Sequence, residues 1–145
     1  MTTMEWQRGT RGLERSVGSA MHDGVFSCAT WDSLAAVAAV MAERGVHAVV
    51  VLDDPEDAQS LWGVISDLDL IAAASVRELH EQSAGGTAAS AALTITPSET
   101  LQRASQLMTE HAIAHLIVVG PDNRPLGVLS TLDVARALTG RDNRT

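Results

Sequence analysis

Two kinds of apolar run alternate along the chain, and the alternation occurs twice. Leu34, Val37, Ala38 and Met41 fall at the spacing of one helix face, and the run Val46 to Leu52, apolar but for His47, follows. Leu101, Ala104, Ser105 and Met108 repeat that spacing ahead of the run Ile113 to Val119. The first pattern predicts a helix with one buried stripe, the second a strand covered on both faces. A short segment then recurs almost verbatim: Gly63-Val64-Ile65-Ser66-Asp67-Leu68-Asp69-Leu70 returns as Gly127-Val128-Leu129-Ser130-Thr131-Leu132-Asp133-Val134. Such a repeat marks a supersecondary unit that cannot bury its apolar face alone and packs against its copy.

The signals between these runs divide the chain into a polar leader (1–16), a first repeat (17–82), a linker with the second repeat (83–138) and a tail (139–145). In the first repeat, Val25 to Cys28 is extended, Thr30 or Asp32 caps a helix running to about Arg44, and Gly45 ends it. The strand Val46 to Leu52, a solvated turn over Asp53 to Ser60 and the strand Leu61 to Ser66 follow. Asp67 to about Gln82 then reads as a helix with Leu68, Ile71, Val76 and Leu79 inward. The second repeat gives an extended piece at Leu93 to Ile95, a helix over Pro97 to His111 and a strand over Ile113 to Val119. After a turn come a strand over Leu126 to Ser130 and a helix over Thr131 to Leu138. Each repeat is β-α-β-β-α, which makes the fold class mixed α/β (α+β), with two pseudo-symmetric repeats packed as one module.

Composition narrows the function. At 145 residues, 46% apolar and 19% charged, the chain is long enough for a real core. A formal charge of −8 and only 3% aromatic residues argue against nucleic acid, which needs clustered cations or stacking platforms. No apolar stretch approaches the roughly 20 residues of a membrane-spanning helix, and the leader lacks the apolar core of a signal peptide. Cys28 is the single cysteine, which fits a reducing, cytoplasmic setting and a small buried side chain. His22, His47, His80, His111 and His115 lack the spacing of a metal site, so no metal is expected.

The repeated Ser-x-x-Asp carries the candidate chemistry. Ser66 and Ser130 each stand where a strand gives way to a helix, and free N–H groups with the positive end of the helix dipole favour an anion there. Asp69 and Asp133, one turn on, offer paired acceptor oxygens suited to the two hydroxyls of a ribose. Ser-x-x-acid is equally a capping box, in which hydroxyl and carboxylate serve only the helix end. The residue type does not choose between these readings.

Taken with the strand and turn before it, each copy of Gly, two apolar residues, Ser, two variable residues and Asp resembles a CBS (cystathionine β-synthase) domain. The resemblance covers Val17 to Leu138 and implies a stand-alone tandem pair, or Bateman module, that binds rather than catalyses. It implies an adenosyl ligand (AMP, ADP, ATP, S-adenosylmethionine or NAD) in a cleft between the repeats. Asp69 and Asp133 would take ribose hydroxyls, and Ser66 and Ser130 would lie near phosphate. Ser27-Cys28 and Thr94-Ile95 would line adenine, and His47 and His115 stand about where family members often place a basic residue facing phosphate. A homodimer joined through helices and an unidentified protein effector are also implied, with the leader around Trp6 free to engage either. The two sites differ, because Asp67 follows Ser66 whereas Thr131 follows Ser130. A second carboxylate repels phosphate, so the Ser130/Asp133 site is expected to prefer phosphorylated adenosines. The rival is an interaction or dimerisation module with empty pockets. A hydrolase or redox enzyme lacks its nucleophile, phosphate loop or cysteine pair in this sequence.

Overall fold

The computed structural model describes residues 12–88 and 93–140; the expectations placed on 1–11, including Trp6, on 89–92 and on 141–145 lie outside the described residues. The elements, in order, are α1 (Val17–Ala20), β1 (His22–Asp23), β2 (Ser27–Ala29), α2 (Leu34–Arg44), β3 (Ala48–Leu52), β4 (Leu61–Ser66) and α3 (Asp67–Ala74). A 3-10 turn (Leu79–Glu81), α4 (Ala84–Thr87), β5 (Thr94–Ile95), α5 (Leu101–His111), β6 (His115–Val119), β7 (Pro125–Ser130) and α6 (Thr131–Leu138) complete them. The β-α-β-β-α plan is present twice, as β2-α2-β3-β4-α3 and β5-α5-β6-β7-α6.

Among the described residues the elements gather into two compact units, one of residues 25–88 and 122–125, the other of 12–24, 93–121 and 126–140. The first holds a three-stranded sheet in the order β2-β3-β4, with β2 parallel and β4 antiparallel to β3. Every residue of β3 is buried, as its unbroken apolar run requires. Leu34, Val37 and Met41 of α2 pack with Val49, Val51 and Ile65 beneath them. The second unit holds a four-stranded sheet, β1-β7-β6-β5, under Leu101, Ala104 and Met108 of α5.

These units are not the two sequence segments 17–82 and 83–138. Val17 and Ala20 of α1 are buried in the core of the second unit, and β1 lies antiparallel to β7, His22 opposite Val128 and Asp23 opposite Gly127. Conversely, the linker supplies α4, whose Ala84 is fully buried in the core of the first unit. At Gly127 the incoming strand leaves no room for a side chain, because a Cβ there would collide with the His22 carbonyl oxygen.

Several expected details change. Helix α2 is capped by Ser33, whose Oγ accepts from the Ala36 N–H at 3.1 Å, rather than by Thr30 or Asp32. The Asp32 carboxylate instead accepts from the Ala29 N–H at 2.8 Å, and Thr30 donates its N–H to Leu52. Helix α5 starts at Leu101 behind the Thr100 cap, not at Pro97, whose carbonyl accepts from Gly18. Strands β3 and β6 start two residues later than their apolar runs. Helix α3 stops at Ala74 instead of running to Gln82. The Ser75 hydroxyl donates to the Ala72 carbonyl, and the Gln82 side-chain amide donates to that of Ala73 and, beyond the helix, to that of Arg77, so the Ala72 and Ala73 carbonyls are satisfied without further helix. Leu70 and Ala73 are its buried positions; Leu68, Ile71 and Val76, expected inward, are 71%, 67% and 77% exposed. Leu79 does pack on the core.

Helices α2 and α5 end alike, on a residue in the left-handed region, but Gly45 (φ 64°) serves α2 and Ala112 (φ 52°) serves α5. A non-glycine residue there costs about 1–2 kcal/mol, against about 0.4–1 kcal/mol of extra unfolded-state freedom for glycine. Ala112→Gly is therefore expected to stabilise the chain by about 0.5–1 kcal/mol, and Gly45→Ala to destabilise it by as much, in urea unfolding.

Candidate functional site

Both Ser-x-x-Asp segments form complete capping boxes. In the first unit the Asp69 N–H donates to Ser66 Oγ at 3.2 Å, and the Ser66 N–H donates to Asp69 Oδ2 at 2.8 Å. In the second unit Ser130 and Asp133 repeat the arrangement at 3.2 and 2.8 Å. At the half-buried Asp69 the cap does not use up the carboxylate. A carboxylate has about four lone-pair directions, and the cap occupies one of them on one oxygen. The cap also fixes each carboxylate at the head of its helix.

The surroundings of the two carboxylates differ. Asp69 is half-buried, whereas Asp133 is only 1% exposed. Its charge is met by His22, whose Nδ1 lies 3.1 Å from Oδ1 and 3.2 Å from Oδ2, and by Arg136 Nη1 at 3.9 Å. A buried carboxylate needs such partners. His22 was not singled out from the sequence. Its partner stands 111 positions away, and only the pairing of β1 with β7 joins them. No local motif signals it.

His47 and His115 take different roles. His47 is exposed, and its Nδ1 lies 2.8 Å from Asp67 Oδ2. The carboxylate expected to repel phosphate beside Ser66 thus faces an imidazole, which offsets its charge when protonated. The Asp67 N–H donates to the His47 carbonyl at 3.0 Å, as the Thr131 N–H does to that of Ala114, so His47 corresponds to Ala114 and His115 lies one position on. His115 opens β6 and is half-buried. Thr131 is exposed at the first position of α6.

Of the expected adenine-lining residues, Ser27 is exposed and Cys28 half-buried in β2, opposite Val50 and Val51, and Thr94 is half-buried in β5. Ile95 belongs to the core of its unit. Within each unit the strand-to-helix junction therefore carries Ser66 and Asp69 next to the His47–Asp67 pair, or Ser130 and Asp133 beside His22, while Ile95 is packed in the core. Burial, and secondarily the Asp32 carboxylate, push the Cys28 thiol up to about 11, so it stays protonated and a poor nucleophile near neutral pH. Among the described residues no group of three or more His, Cys, Asp or Glu side chains is placed to hold a metal ion, and no helix is long and apolar enough to cross a membrane.

Comparison with known proteins identifies the family and the fold. The chain is 30% identical over 128 residues to the CBS domain-containing protein CBSX3, mitochondrial, of Arabidopsis thaliana, a match covering 86% of this chain and 61% of that protein's length. Its fold is similar to that of the CBS domain of a bacterial CNNM/CorC family Mg2+ transporter in complex with ATP. That match has a TM-score of 0.76 and 15% identity, and covers 94% of this chain and 96% of the other. It is also similar to the CBS domain pair of protein MJ0100 in complex with 5'-methylthioadenosine and S-adenosyl-L-methionine, with TM-score 0.76, 16% identity and coverage of 86% and 96%. The CBS domain model matches residues 17–76 and 88–140, one segment for each repeat, and the chain belongs to the CBS domain family.

Proposed function

We propose that the chain is a regulatory module, not an enzyme, that binds an adenosyl nucleotide and passes the bound state to a partner protein. The observation that carries this reading is the repeated Ser-x-x-Asp box, which fixes Asp69 and Asp133 each at the head of its own helix, with Asp69 half-buried there. Ribose hydroxyls are the group these acceptors suit. The Ser66 and Ser130 hydroxyls at the helix starts suit phosphate, with His47 just before β3 and His115 at the start of β6 as the basic candidates. Ser27, Cys28 and Thr94 stand on the short strands that would flank adenine. Family members solved with ATP and with S-adenosyl-L-methionine support the ligand class. The Ser130/Asp133 site is the better candidate for a phosphorylated adenosine, since Thr131 brings no charge where Asp67 brings a carboxylate, and the Arg136 guanidinium lies close by. One half-buried cysteine is in keeping with a reducing cytoplasmic setting.

Thermal unfolding with AMP, ADP, ATP, S-adenosylmethionine and NADH tests the reading. A ligand at 100 times its dissociation constant adds about 2.7 kcal/mol, a rise of several degrees for a chain of this length. No rise across the panel would leave the capping boxes as caps only and favour a ligand-free interaction module.

The same reading makes the module a homodimer. Helix α3 presents Leu68 and Ile71 to solvent, with Val76 beyond its end, and α6 presents Leu132. Large apolar side chains grouped on one exposed helix face are candidates for burial against a partner surface. Leu68→Glu with Ile71→Glu is expected to convert a dimer to monomer in sedimentation velocity while leaving the fold intact; a wild-type chain that sediments as a monomer would reject the assignment.

A further inference from the structure

The sheet of the first unit has a second functional-looking end, opposite Ser66. There β2 and β3 finish and β4 begins, with Ala29, Leu52 and Leu61 side by side across the strands. Two tryptophans stand at this end. Trp31 follows β2 and is 67% exposed; Trp62 is the second residue of β4 and is 48% exposed. The Trp62 indole N–H donates to the Gly85 carbonyl at 3.1 Å, and the Gly85 N–H donates to the Thr30 carbonyl at 2.8 Å. One glycine thus separates the Trp62 indole from the residue that precedes Trp31. A Cβ on Gly85 would lie 2.8 Å from that of Thr30, so the pairing is tight. The Trp62 ring is held in place while much of its surface stays in solvent, at a rim where burial would be favourable.

The loop over residues 53–60 leaves from the same end and returns to it, closed by the Asp53 N–H donating to the Ser60 carbonyl at 2.8 Å. The Ser60 hydroxyl reaches the carbonyls of Asp54 and Asp57, so the loop has a defined shape. It carries Asp53, Asp54, Glu56 and Asp57, and Asp32 adjoins Trp31. Among the described residues no cation forms an ion pair with these five carboxylates; Arg124, grouped with this unit, is turned to Asp122 at 3.5 Å.

We infer that this end is a docking surface for a segment of another protein in which Arg or Lys alternates with apolar side chains. Indole faces accept both apolar groups and cations, and they dominate the energetics of many interfaces. The acidic loop would steer such a segment to the rim and reject acidic ones. The same charge makes a second copy of this chain an unsuitable occupant, since its formal charge is −8 and it would present the same acidic face. The inference does not depend on a nucleotide being bound.

Panning the full chain against a random peptide library, with counter-selection on Trp31→Ala/Trp62→Ala, tests it. Recovered peptides are expected to combine Arg or Lys with apolar residues, and to bind at least about tenfold more weakly to the double variant. They are also expected to bind more weakly to the loop variant Asp53→Asn/Asp54→Asn/Glu56→Gln/Asp57→Asn and as salt is raised. Should the double variant not fold, Trp31→Ser alone, altering a mostly exposed side chain, serves for the comparison. Acidic peptides, peptides indifferent to the tryptophans, or a wild-type dimer that dissociates when the tryptophans are replaced would each overturn the assignment.

Discussion

Asp133→Ala is expected to lower the stability of the chain by about 3 kcal/mol, roughly 10 °C in midpoint, and to abolish the rise produced by an adenosyl ligand. The cap itself accounts for about 1 kcal/mol, the usual cost of removing a side-chain acceptor from a helix start. The remainder comes from burial: the carboxylate is almost fully enclosed and meets both His22 and Arg136. Hydrogen bonds to charged groups contribute about 1.5–3 kcal/mol each, so losing this one outweighs losing an exposed cap. Asp69→Ala removes the same cap from a half-buried site and is expected to cost only about 1 kcal/mol. Equal losses in the two variants, measured by urea unfolding, would mean that His22 adds nothing. Asp133→Asn separates stability from recognition. It keeps an oxygen for the Ser130 N–H but not the charge, so it should fold better than the alanine variant and still bind ligand far more weakly than wild type.

Gly127→Ala is expected to be nearly as damaging, at about 3 kcal/mol. Overpacking usually costs 1–3 kcal/mol, and the upper end applies because the obstacle is a backbone oxygen with no rotamer to escape into. The methyl group would drive β1 from β7, taking with it the His22 imidazole that meets Asp133. The variant should therefore also weaken the coupling between His22 and Asp133 in a double-mutant cycle. Retention of that coupling would show that β1 can shift while keeping its side-chain contact.

What was legible in the sequence was local or periodic. The capping boxes span four residues, so Ser66, Asp69, Ser130 and Asp133 announced their own geometry, and α2 and α5 bury the stripes that their spacing marked. The inward face of α3 was misjudged because Leu68, Leu70 and Ile71 put apolar side chains nearly all round that helix, and periodicity cannot choose a stripe where every side is apolar. The cap of α2 was misjudged because Thr30, Asp32 and Ser33 can all cap. The choice fell to tertiary contacts: Thr30 is held by Leu52 and Asp32 by Ala29. His22 and Ala84 escaped notice for a third reason. Each acts through partners distant in sequence, and neither carries a local signature.

The grouping of α1 and β1 with the second unit, and of α4 with the first, bears on how such a gene can be cut and inherited. A fragment beginning at residue 88 would encode the second family segment in full, yet its sheet would lack an edge strand, Asp133 would lack its imidazole and the core would lack Val17 and Ala20. A fragment ending at residue 76 would leave the place of Ala84 empty in the other core. The heritable unit is thus the pair, and a viable shuffling event has to carry both halves together.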